Sequence, residues 1–379
     1  MDFTWTEAQT ALHDSMRALS VDVDETAGFS RENWRRCAEA GVLALPIPEK
    51  YGGLGLDPVT CAYALEGLGH GCADNGLLMS VGAHVWATEV PIWLFGSPEQ
   101  QERYLPELCA GRMVGAHAIT ETEAGSDALS MASRARRVDD CYVLNGEKRF
   151  VTNGPIADVL IVYANVDPAL GFTGVTAFLV ERDQPGLVIE HDTPKAGLRT
   201  APWARITMTD CEVPVSQRLG AEKQGRFVFS AAMAWERALI LAPQLGAMRR
   251  QIDSCMDFAR DRRQFGQRIS GYQAVAHTIV DMRTRLETAR LLTYRAAADL
   301  GTRSDSMFSE MAKLVTSEAA VQTYLDAFQV HGALGYTVDA GIDRALRDAL
   351  GTRISSGTSA VQRNIIADKL GLRGKATGQ

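Results

Sequence analysis

The sequence predicts an α+β fold that is mostly helical, with a β domain enclosed between two helical segments. Three observations predict it: helical spacing of apolar residues up to about residue 113, short strand-like runs from about 114 to 217, and long amphipathic patterns from about 218 onward. Because the helices are grouped and do not alternate with strands, the order disfavours a doubly wound sheet. We therefore expect three domains at residues 1–113, 114–217 and 218–379.

The first segment carries signals for the start and the end of helices. Gly41 follows the helical stretch SRENWRRCAEA, and glycine is the residue that most often follows a helix C-terminus. Further on, Ser97 can cap a helix that has Pro98 at its first position and Gln100 at its third. These signals indicate an N-terminal domain made of helices.

The middle segment has the texture of antiparallel strands. Runs such as DVLIVYANV, GVTAFLVER and ARITMTDCEV are separated by Gly, Pro and Asp. Asn145 and Gly146 stand between two strand-like runs, and since this pair favours a tight turn we expect a β-hairpin there. No GxGxxG motif follows a strand, so a nicotinamide-binding Rossmann site is not indicated.

The last segment has the spacing of packed long helices. In the stretch from Tyr272 to Ala297, apolar residues recur every three or four positions, at Val275, Ile279, Met282, Leu286 and Ala289. Residues at that spacing form one stripe along a helix, and such a stripe is buried against other helices. We expect a helix bundle here.

Composition and charge exclude several classes of partner. Of the 379 residues 46% are hydrophobic and 22% are charged, which is ordinary globular usage, and the formal net charge is −7. A negative chain has no general attraction to nucleic acid or to an anionic membrane. The first residues lack the pattern of a signal peptide, and we expect no run of roughly 18 apolar residues that could span a bilayer. We therefore expect a cytoplasmic protein without a nucleic-acid or membrane partner.

The cysteines indicate neither disulfides nor a metal site. The seven are odd in number and scattered, and none is spaced as CxxC. The expected role for each thiol is that of a small buried apolar side chain in a reducing compartment. We expect no bound metal.

Several motifs occur in an order that resembles the acyl-CoA dehydrogenase family over essentially the whole chain. They are HAITETEAGSD (117–127), NGEKRFVTN (145–153), RRQFGQRISGYQAV (262–275), QVHGALGY (329–336), RD (347–348) and GTSAVQR (357–363). The resemblance implies an N-terminal helical domain, a middle antiparallel β domain and a C-terminal four-helix bundle. It also implies a homotetramer, a dimer of dimers, with FAD near a dimer interface.

The resemblance implies which residues hold FAD. In the β segment the matching positions lie beside the flavin ring or the pyrophosphate: Ile119, Thr120, Gly125, Ser126, Phe150 and Thr152. In the last segment the matching positions serve mainly the adenine and pyrophosphate end, the first three from a neighbouring subunit: Arg262, Phe265, Gln273, Gln329, Gly332 and Thr358. Phe150 replaces the commoner Trp and so keeps an aromatic face without an indole N–H.

The catalytic base is expected on a helix. Many family members carry a carboxylate immediately before the GT of the C-terminal loop, where this chain has Ser356. Isovaleryl-CoA and long-chain acyl-CoA dehydrogenases place a Glu followed by Arg on the first helix after the β domain, which here matches Glu236 and Arg237. Glu236 interrupts an apolar stripe, and burial would raise the pKa of its carboxyl toward that of a base working near neutrality.

The resemblance implies a flavoenzyme that oxidises an acyl-CoA to its trans-2-enoyl product. Glu236 would abstract the α proton while flavin N5 takes the hydride from the β carbon. Arg237, Ser356 and Gly357 match the part of the site that binds the thioester, and a backbone N–H near Ser356 would hold its carbonyl oxygen. An electron-transfer flavoprotein or oxygen would then reoxidise the flavin.

Other interpretations remain open at this point. The acyl group could be carried by a carrier protein, as in relatives of antibiotic pathways that oxidise prolyl groups. The scaffold also hosts flavin monooxygenases and nitroalkane-type oxidases, and a non-catalytic flavin-binding subunit is a further alternative. Glu236 could instead form a structural ion pair, with Arg237 or with a partner in the bundle.

Overall fold

The N-terminal segment is helical, as predicted. The computed structural model describes residues 4–21, 23–302 and 306–372. The helices run α1 Glu7–Ala18, α2 Arg31–Glu39, α3 Pro58–Gly71, α4 Asn75–His84, α5 Val90–Phe95 and α6 Pro98–Cys109, with a π-helical turn at Val85–Glu89 between α4 and α5. Gly41 adopts a left-handed φ of 76° just after α2, and Ser97 forms a full capping box with Gln100 at the start of α6. Both sequence signals are confirmed.

The middle segment forms one large sheet. Its strands are β1 Gly115–Ala118, β2 Arg134–Val138, β3 Cys141–Thr152, β4 Val159–Asn165, β5 Val175–Glu181, β6 Leu187–His191, β7 Trp203–Pro214 and β8 Arg218–Leu219. The order across the sheet is β6, β7, β3, β2, β4, β5, β8, and β1 also pairs with β4. All seven residues of β4 are buried, so this strand forms the centre of the domain.

Two details of the predicted strands are wrong. β1 pairs in parallel with β4, as β2 does through one residue pair, so the sheet is mixed and not purely antiparallel. Asn145 and Gly146 do not form a hairpin turn, because they lie inside β3 at a register shift opposite β7. There Asn145 exchanges two hydrogen bonds with Asp210, and Gly146 has a φ of 148° with Ser133 packed where a Cβ would stand. The pair therefore makes a bulge, where glycine serves equally well.

The C-terminal segment is a helix bundle. It contains α7 Gly225–Leu239, α8 Ala242–Asp261, α9 Gln273–Asp299, α10 Phe308–His331, α11 Ile342–Thr352 and α12 Ser359–Lys369, with a small hairpin of β9 Arg263–Gln264 and β10 Gln267–Arg268. α7 and α8 each pack against α9 and α10, α9 and α10 pack against each other, and α11 and α12 pack on α10. Met282, Leu286 and Ala289 of the predicted stripe are fully buried, and Val275 and Ile279 are half-buried. The bundle prediction is confirmed.

One helical run has the composition of a membrane span. Asn75–Phe95 covers 21 residues with a mean hydropathy of 1.2 in its most apolar window, long and apolar enough to cross a membrane by length and composition, although His84 and Glu89 interrupt its apolar run. However, 83% of that window is buried inside the protein, as is usual for a core helix. Its apolar side chains are used for packing within the fold.

The N-terminal helices and the bundle meet at a close helix crossing. An added Cβ at Gly69 of α3 would lie 1.8 Å from the carbonyl oxygen of Pro243, and one at Gly246 of α8 would lie 2.0 Å from the carbonyl oxygen of Glu66. The two backbones can approach this closely because neither glycine has a side chain. The crossing fixes the start of the bundle, just after α7, against the N-terminal domain.

The crossing predicts a large effect of one added methyl group. Alanine at a helical position usually stabilises by about 1 kcal/mol relative to glycine, but Gly246→Ala should destabilise by roughly 1–3 kcal/mol because the backbones must separate. Denaturant unfolding would measure the difference. Ser254→Ala, at an exposed position of the same helix, should stay within about 0.5 kcal/mol of the parent. A Gly246→Ala protein as stable as the parent would contradict the assignment of a tight crossing.

Candidate active site

Glu236 is a buried carboxylate in an apolar surface. It lies on α7 and is 8% exposed, and the residues one turn away on the same helix face, Ala232, Met233, Leu239 and Ile240, are all buried. The apolar stripe that the sequence predicts around Glu236 is thus present in the structure. A charge held in such surroundings is expensive, so the placement of an acid here indicates chemical use.

The two oxygens of the Glu236 carboxylate have different surroundings. Oε1 accepts a hydrogen bond of 2.5 Å from the Ser356 hydroxyl. Oε2 is buried without a hydrogen-bond partner among the described residues. The bonded oxygen fixes the orientation of the carboxylate, and the other keeps its lone pairs available to accept a proton.

The surroundings set the pKa of Glu236 in opposite directions. Burial raises the pKa of the carboxyl, because the charged form loses its hydration. The hydrogen bond from Ser356 and the charges of Arg237 and Lys313 lower it, and burial prevails. The result is a carboxylate of raised basicity, which is what a general base working near neutral pH requires.

The loop that carries Ser356 is held by three side chains. The Ser356 carbonyl accepts from Arg237 at 3.4 Å and from Gln362 at 2.9 Å, and the Gly357 carbonyl accepts from Gln362 at 2.9 Å and from Lys313 at 2.7 Å. Ser356 and Gly357 have positive φ values of 53° and 86°. Three donors therefore hold a strained turn that points the Ser356 hydroxyl at Glu236.

Glu236 forms no ion pair among residues 4–21, 23–302 and 306–372. Arg237 instead pairs with Glu310 at 3.2 Å, and Lys369 joins the same carboxylate at 3.0 Å. The alternative that Glu236 is a structural partner of Arg237 therefore has no support in the geometry. Lys313 is fully buried beside these groups, and burial together with the charge of Arg237 lowers its pKa to about 8.

Residues predicted to face a flavin ring lie together on the β domain. The N–H of Arg149 donates to the Thr120 carbonyl at 2.8 Å, which joins the end of β1 to β3. Phe150 has a φ of 56° and is 44% exposed, with its ring tilted on Trp203 at a centroid distance of 4.9 Å. An aromatic ring held outward at a strained backbone position suits a flat ligand, and Thr152 lies two residues further along the same strand.

An ion pair that the sequence did not reveal anchors the neighbouring loop. Lys148 is fully buried and donates to Glu121 at 2.7 Å and to the carbonyl of Ile119 at 3.3 Å. The Glu121 carboxylate also accepts from the backbone N–H groups of Ala132 and Ser133. These bonds close the loop that contains Gly125 and Ser126. The sequence offered one signal for this ion pair, namely a lysine in the middle of a strand-like run.

The loop leaves room for a ligand. Gly125 and Ser126 are exposed, and an added Cβ at Gly125 would meet nothing within 4 Å. Packing within the protein therefore does not require glycine at position 125. A glycine there fits a site where a bound group comes close to the backbone. Together with the outward Phe150 and the half-buried Thr120 and Thr152, these residues fit a dinucleotide with a flat ring.

The other predicted cofactor residues lie elsewhere. Most of them occupy exposed positions of the bundle: Arg262, Phe265, Gln273, Gln329 and Gly332. Phe265 is 95% exposed at a φ of 48°, in the hairpin of β9 and β10. Thr358 differs from these because its hydroxyl caps α12 by accepting from the N–H of Val361. Exposed positions are expected for residues that contact the cofactor of a neighbouring subunit, which is the role that the resemblance implies.

Two further polar groups lie without partners near Glu236. His117 of β1 and Tyr163 of β4 present Nε2 and the phenolic hydroxyl, both buried and unbonded among the described residues. Their rings are 5.1 Å apart, and each is 6.0 Å from the ring of Phe229, which lies two turns before Glu236 on α7. Neither residue stands out in the sequence, since their proximity depends on the parallel pairing of β1 and β4.

Known proteins are similar to this chain over nearly its whole length. Models of the acyl-CoA dehydrogenase N-terminal, middle and C-terminal domains match residues 6–112, 116–211 and 223–371. An L-prolyl-[peptidyl-carrier protein] dehydrogenase of Pseudomonas fluorescens is 41% identical, over 98% of this chain and 100% of the relative. The crystal structure of the prolyl acyl carrier protein oxidase AnaB superposes with a TM-score of 0.95 at 42% identity, over 97% of this chain and 100% of that one. Butyryl-CoA dehydrogenase of Megasphaera elsdenii has a TM-score of 0.93 at 31% identity, over 98% of this chain and 100% of that one.

The Ser356 hydrogen bond predicts a change in pH dependence. Because this bond lowers the pKa of Glu236, its removal in Ser356→Ala should raise that pKa further. The base acts only when ionised, so the acidic limb of the pH–rate profile for flavin reduction by an acyl thioester should move to higher pH. Rapid-mixing measurements across pH would show the displacement.

A neighbouring serine provides the control for this change. The Ser355 hydroxyl is buried but has no hydrogen-bond partner among the described residues. Ser355→Ala should therefore leave the acidic limb where it is in the parent. The hydrogen bond would be irrelevant to the base if both alanine variants kept the parent profile.

Proposed function

Because the chain belongs to the acyl-CoA dehydrogenase family, we propose that it removes hydrogen from the α and β carbons of an acyl thioester, with FAD as cofactor and Glu236 as base. The observation that carries the proposal is the buried Glu236 carboxylate with one oxygen bonded and the other free. Oxidation at a CH–CH bond next to a carbonyl needs such a base, because the α proton is only weakly acidic.

Glu236 performs the proton transfer. Oε2 accepts the α proton, while the Ser356 hydroxyl keeps Oε1 in place and stabilises the charge before transfer. The apolar face of α7 keeps water from the carboxylate, which maintains its basicity. After transfer the neutral acid suits its apolar surroundings better than the anion did, so burial favours the forward step.

The Ser356 loop orients the thioester. We assign to its backbone N–H groups the role of donors to the thioester carbonyl oxygen, which gains negative charge as the α proton leaves. Arg237, Gln362 and Lys313 hold the loop carbonyls, so the turn is prearranged before the substrate binds. A donor set that is already in position costs no reorganisation during the reaction.

FAD is held by the β domain and, across an interface, by the bundle. Ile119, Thr120, Phe150 and Thr152 would lie beside the flavin ring, and Gly125 and Ser126 would approach the pyrophosphate. The remaining contacts come from the cofactor residues of the C-terminal segment, namely Arg262, Phe265, Gln273, Gln329, Gly332 and Thr358. When bound, FAD supplies the two-electron acceptor for the hydride that leaves the β carbon.

The thioester that we propose is an L-prolyl group on a carrier protein. Two proteins named for prolyl groups on carriers are 41% and 42% identical to this chain, whereas butyryl-CoA dehydrogenase is 31% identical. Coenzyme A thioesters, the main expectation from the sequence, share the same reacting atoms and become the second candidate. No observation favours a monooxygenase or a nitroalkane-type oxidase, and the poised base disfavours a non-catalytic subunit.

The exposed apolar side chains support assembly. Phe265, Tyr336 and Val338 are 95%, 85% and 83% exposed, which is unusual for large apolar residues unless another chain covers them. A homotetramer would cover them and would bring the cofactor residues of one subunit to the flavin of another. We assign reoxidation to an electron-transfer flavoprotein or to oxygen, and the compartment to the cytoplasm, where the seven free thiols stay reduced.

The proposal predicts the behaviour of Glu236→Gln. Glutamine keeps the shape and the hydrogen bond to Ser356 but is not a base, so thioester oxidation should fall by about 10³-fold. Bound FAD should be retained, since Glu236 is not among its proposed contacts. Anaerobic mixing with a reactive thioester, with the visible spectrum as the readout of flavin, measures both quantities.

The two readouts separate the possible failures. A variant with native flavin content and full activity would place the base elsewhere. Loss of the flavin together with the activity would mean that Glu236 is needed for the fold or for the cofactor site, and the assignment as base would then lose its support.

A further inference from the structure

Two unpartnered polar atoms lie on the sheet face that α7 covers. β1 and β4 pair in parallel with His117 opposite Ile161, so Tyr163, two residues further along β4, stands on the same face as His117. Both polar atoms, His117 Nε2 and the Tyr163 hydroxyl, are buried without a hydrogen bond among the described residues. Buried polar atoms are nearly always bonded in folded proteins, so these two atoms, on rings 5.1 Å apart, have hydrogen-bonding capacity that a bound ligand could use.

The pair lies in the same compartment as the base. The rings of His117 and Tyr163 both contact the ring of Phe229, at 6.0 Å each. Phe229 and Glu236 are seven residues apart on α7, two turns along one helix face. The charge of Glu236 also contributes to the raised pKa of Tyr163, after the larger effect of burial. His117 and Tyr163 therefore lie beside Phe229 of α7, close enough to Glu236 for its charge to act on Tyr163.

Both groups are neutral hydrogen-bonding partners. Burial, followed by the charge of Lys148, lowers the pKa of His117 to about 3, so the imidazole carries no charge near neutral pH. Burial keeps the Tyr163 phenol protonated. A neutral imidazole offers one acceptor nitrogen, and a phenol can both donate and accept. Together they match a small N–H group better than they match an anion or a hydrocarbon.

Resting on the proposed function, we infer that His117 and Tyr163 recognise the ring nitrogen of a cyclic aminoacyl group such as prolyl. The nitrogen is bonded to the α carbon, so it lies one bond from the carbon that Glu236 deprotonates. A site with unsatisfied polar atoms discriminates against an isosteric hydrocarbon ring, because that ring would leave the atoms buried and unbonded. The same site is poorly suited to a straight fatty acyl chain. This pair, and not the base, sets the substrate class.

The test compares two acyl rings of the same shape. L-Prolyl and cyclopentanecarbonyl thioesters on the same carrier differ only in whether the ring contains nitrogen, and both have the α and β hydrogens that the reaction removes. Flavin reduction by each would be followed anaerobically in the FAD-loaded parent and in Tyr163→Phe. The parent should prefer the prolyl thioester. The variant should lose roughly tenfold or more in kcat/KM for prolyl while keeping the parent value for cyclopentanecarbonyl.

Phe229→Leu provides the matched control. It trims the ring that contacts both His117 and Tyr163 but removes no polar atom, so it should lower kcat/KM for the two thioesters equally. Tyr163→Phe should also keep the parent melting temperature or raise it, because the hydroxyl that it removes has no hydrogen-bond partner in the described residues. These results distinguish a lost recognition contact from a damaged fold.

Several outcomes would overturn the inference. An equal loss for both thioesters in Tyr163→Phe, with a shifted visible spectrum of bound FAD, would mean that the hydroxyl serves the flavin. If Tyr163→Phe kept the parent preference for prolyl, the Tyr163 hydroxyl would serve neither the substrate nor the flavin. If neither thioester reduces the flavin of the parent, the proposed function fails. Binding of the two thioesters, measured by calorimetry, still tests the pair, and equal affinities would overturn its role.

Discussion

The burial of one carboxylate is the constraint on which the rest of the site depends. Glu236 lies in an apolar helix face where a charge is costly, and within the described part of the chain only one of its oxygens has a hydrogen-bond partner. That cost raises its pKa and so gives it the strength of a base. The strained Ser356 turn and the charges of Arg237 and Lys313 adjust how far the pKa of Glu236 rises. The same surroundings set where its second carboxylate oxygen points.

The loop and the helix contribute different groups to the site. Ser356 of the loop contributes a hydrogen-bond donor, and the carboxylate stands on α7. Lys313 and Gln362 donate hydrogen bonds to the backbone carbonyls of the loop. These bonds keep the Ser356 hydroxyl in its direction, and neither side chain needs to reach the substrate. The base therefore stands on a long helix, a more rigid support than a loop.

Local signals in the sequence predicted local structure well. The capping box at Ser97, the left-handed Gly41 and the buried face around Glu236 each depend on residues within one or two turns, and all three are confirmed. Asn145 and Gly146 misled the prediction, because the same pair fits a turn or a bulge and the partner strand decides between them. The Ser356 contact joins residues 120 positions apart, and the Lys148 contact joins residues 27 apart. Such pairs follow from the tertiary fold, which spacing along one sequence does not reveal.

The measurement that tests the central claim most directly is anaerobic mixing of the FAD-loaded protein with an L-prolyl thioester on its carrier protein. Parallel reactions would use prolyl, butyryl and isovaleryl groups on coenzyme A. The account predicts rapid bleaching of the flavin by the carrier-bound prolyl group and slower bleaching by the others. Fast bleaching by a coenzyme A thioester alone would contradict the carrier-bound substrate, and a bound flavin that no thioester reduces would contradict the dehydrogenase itself.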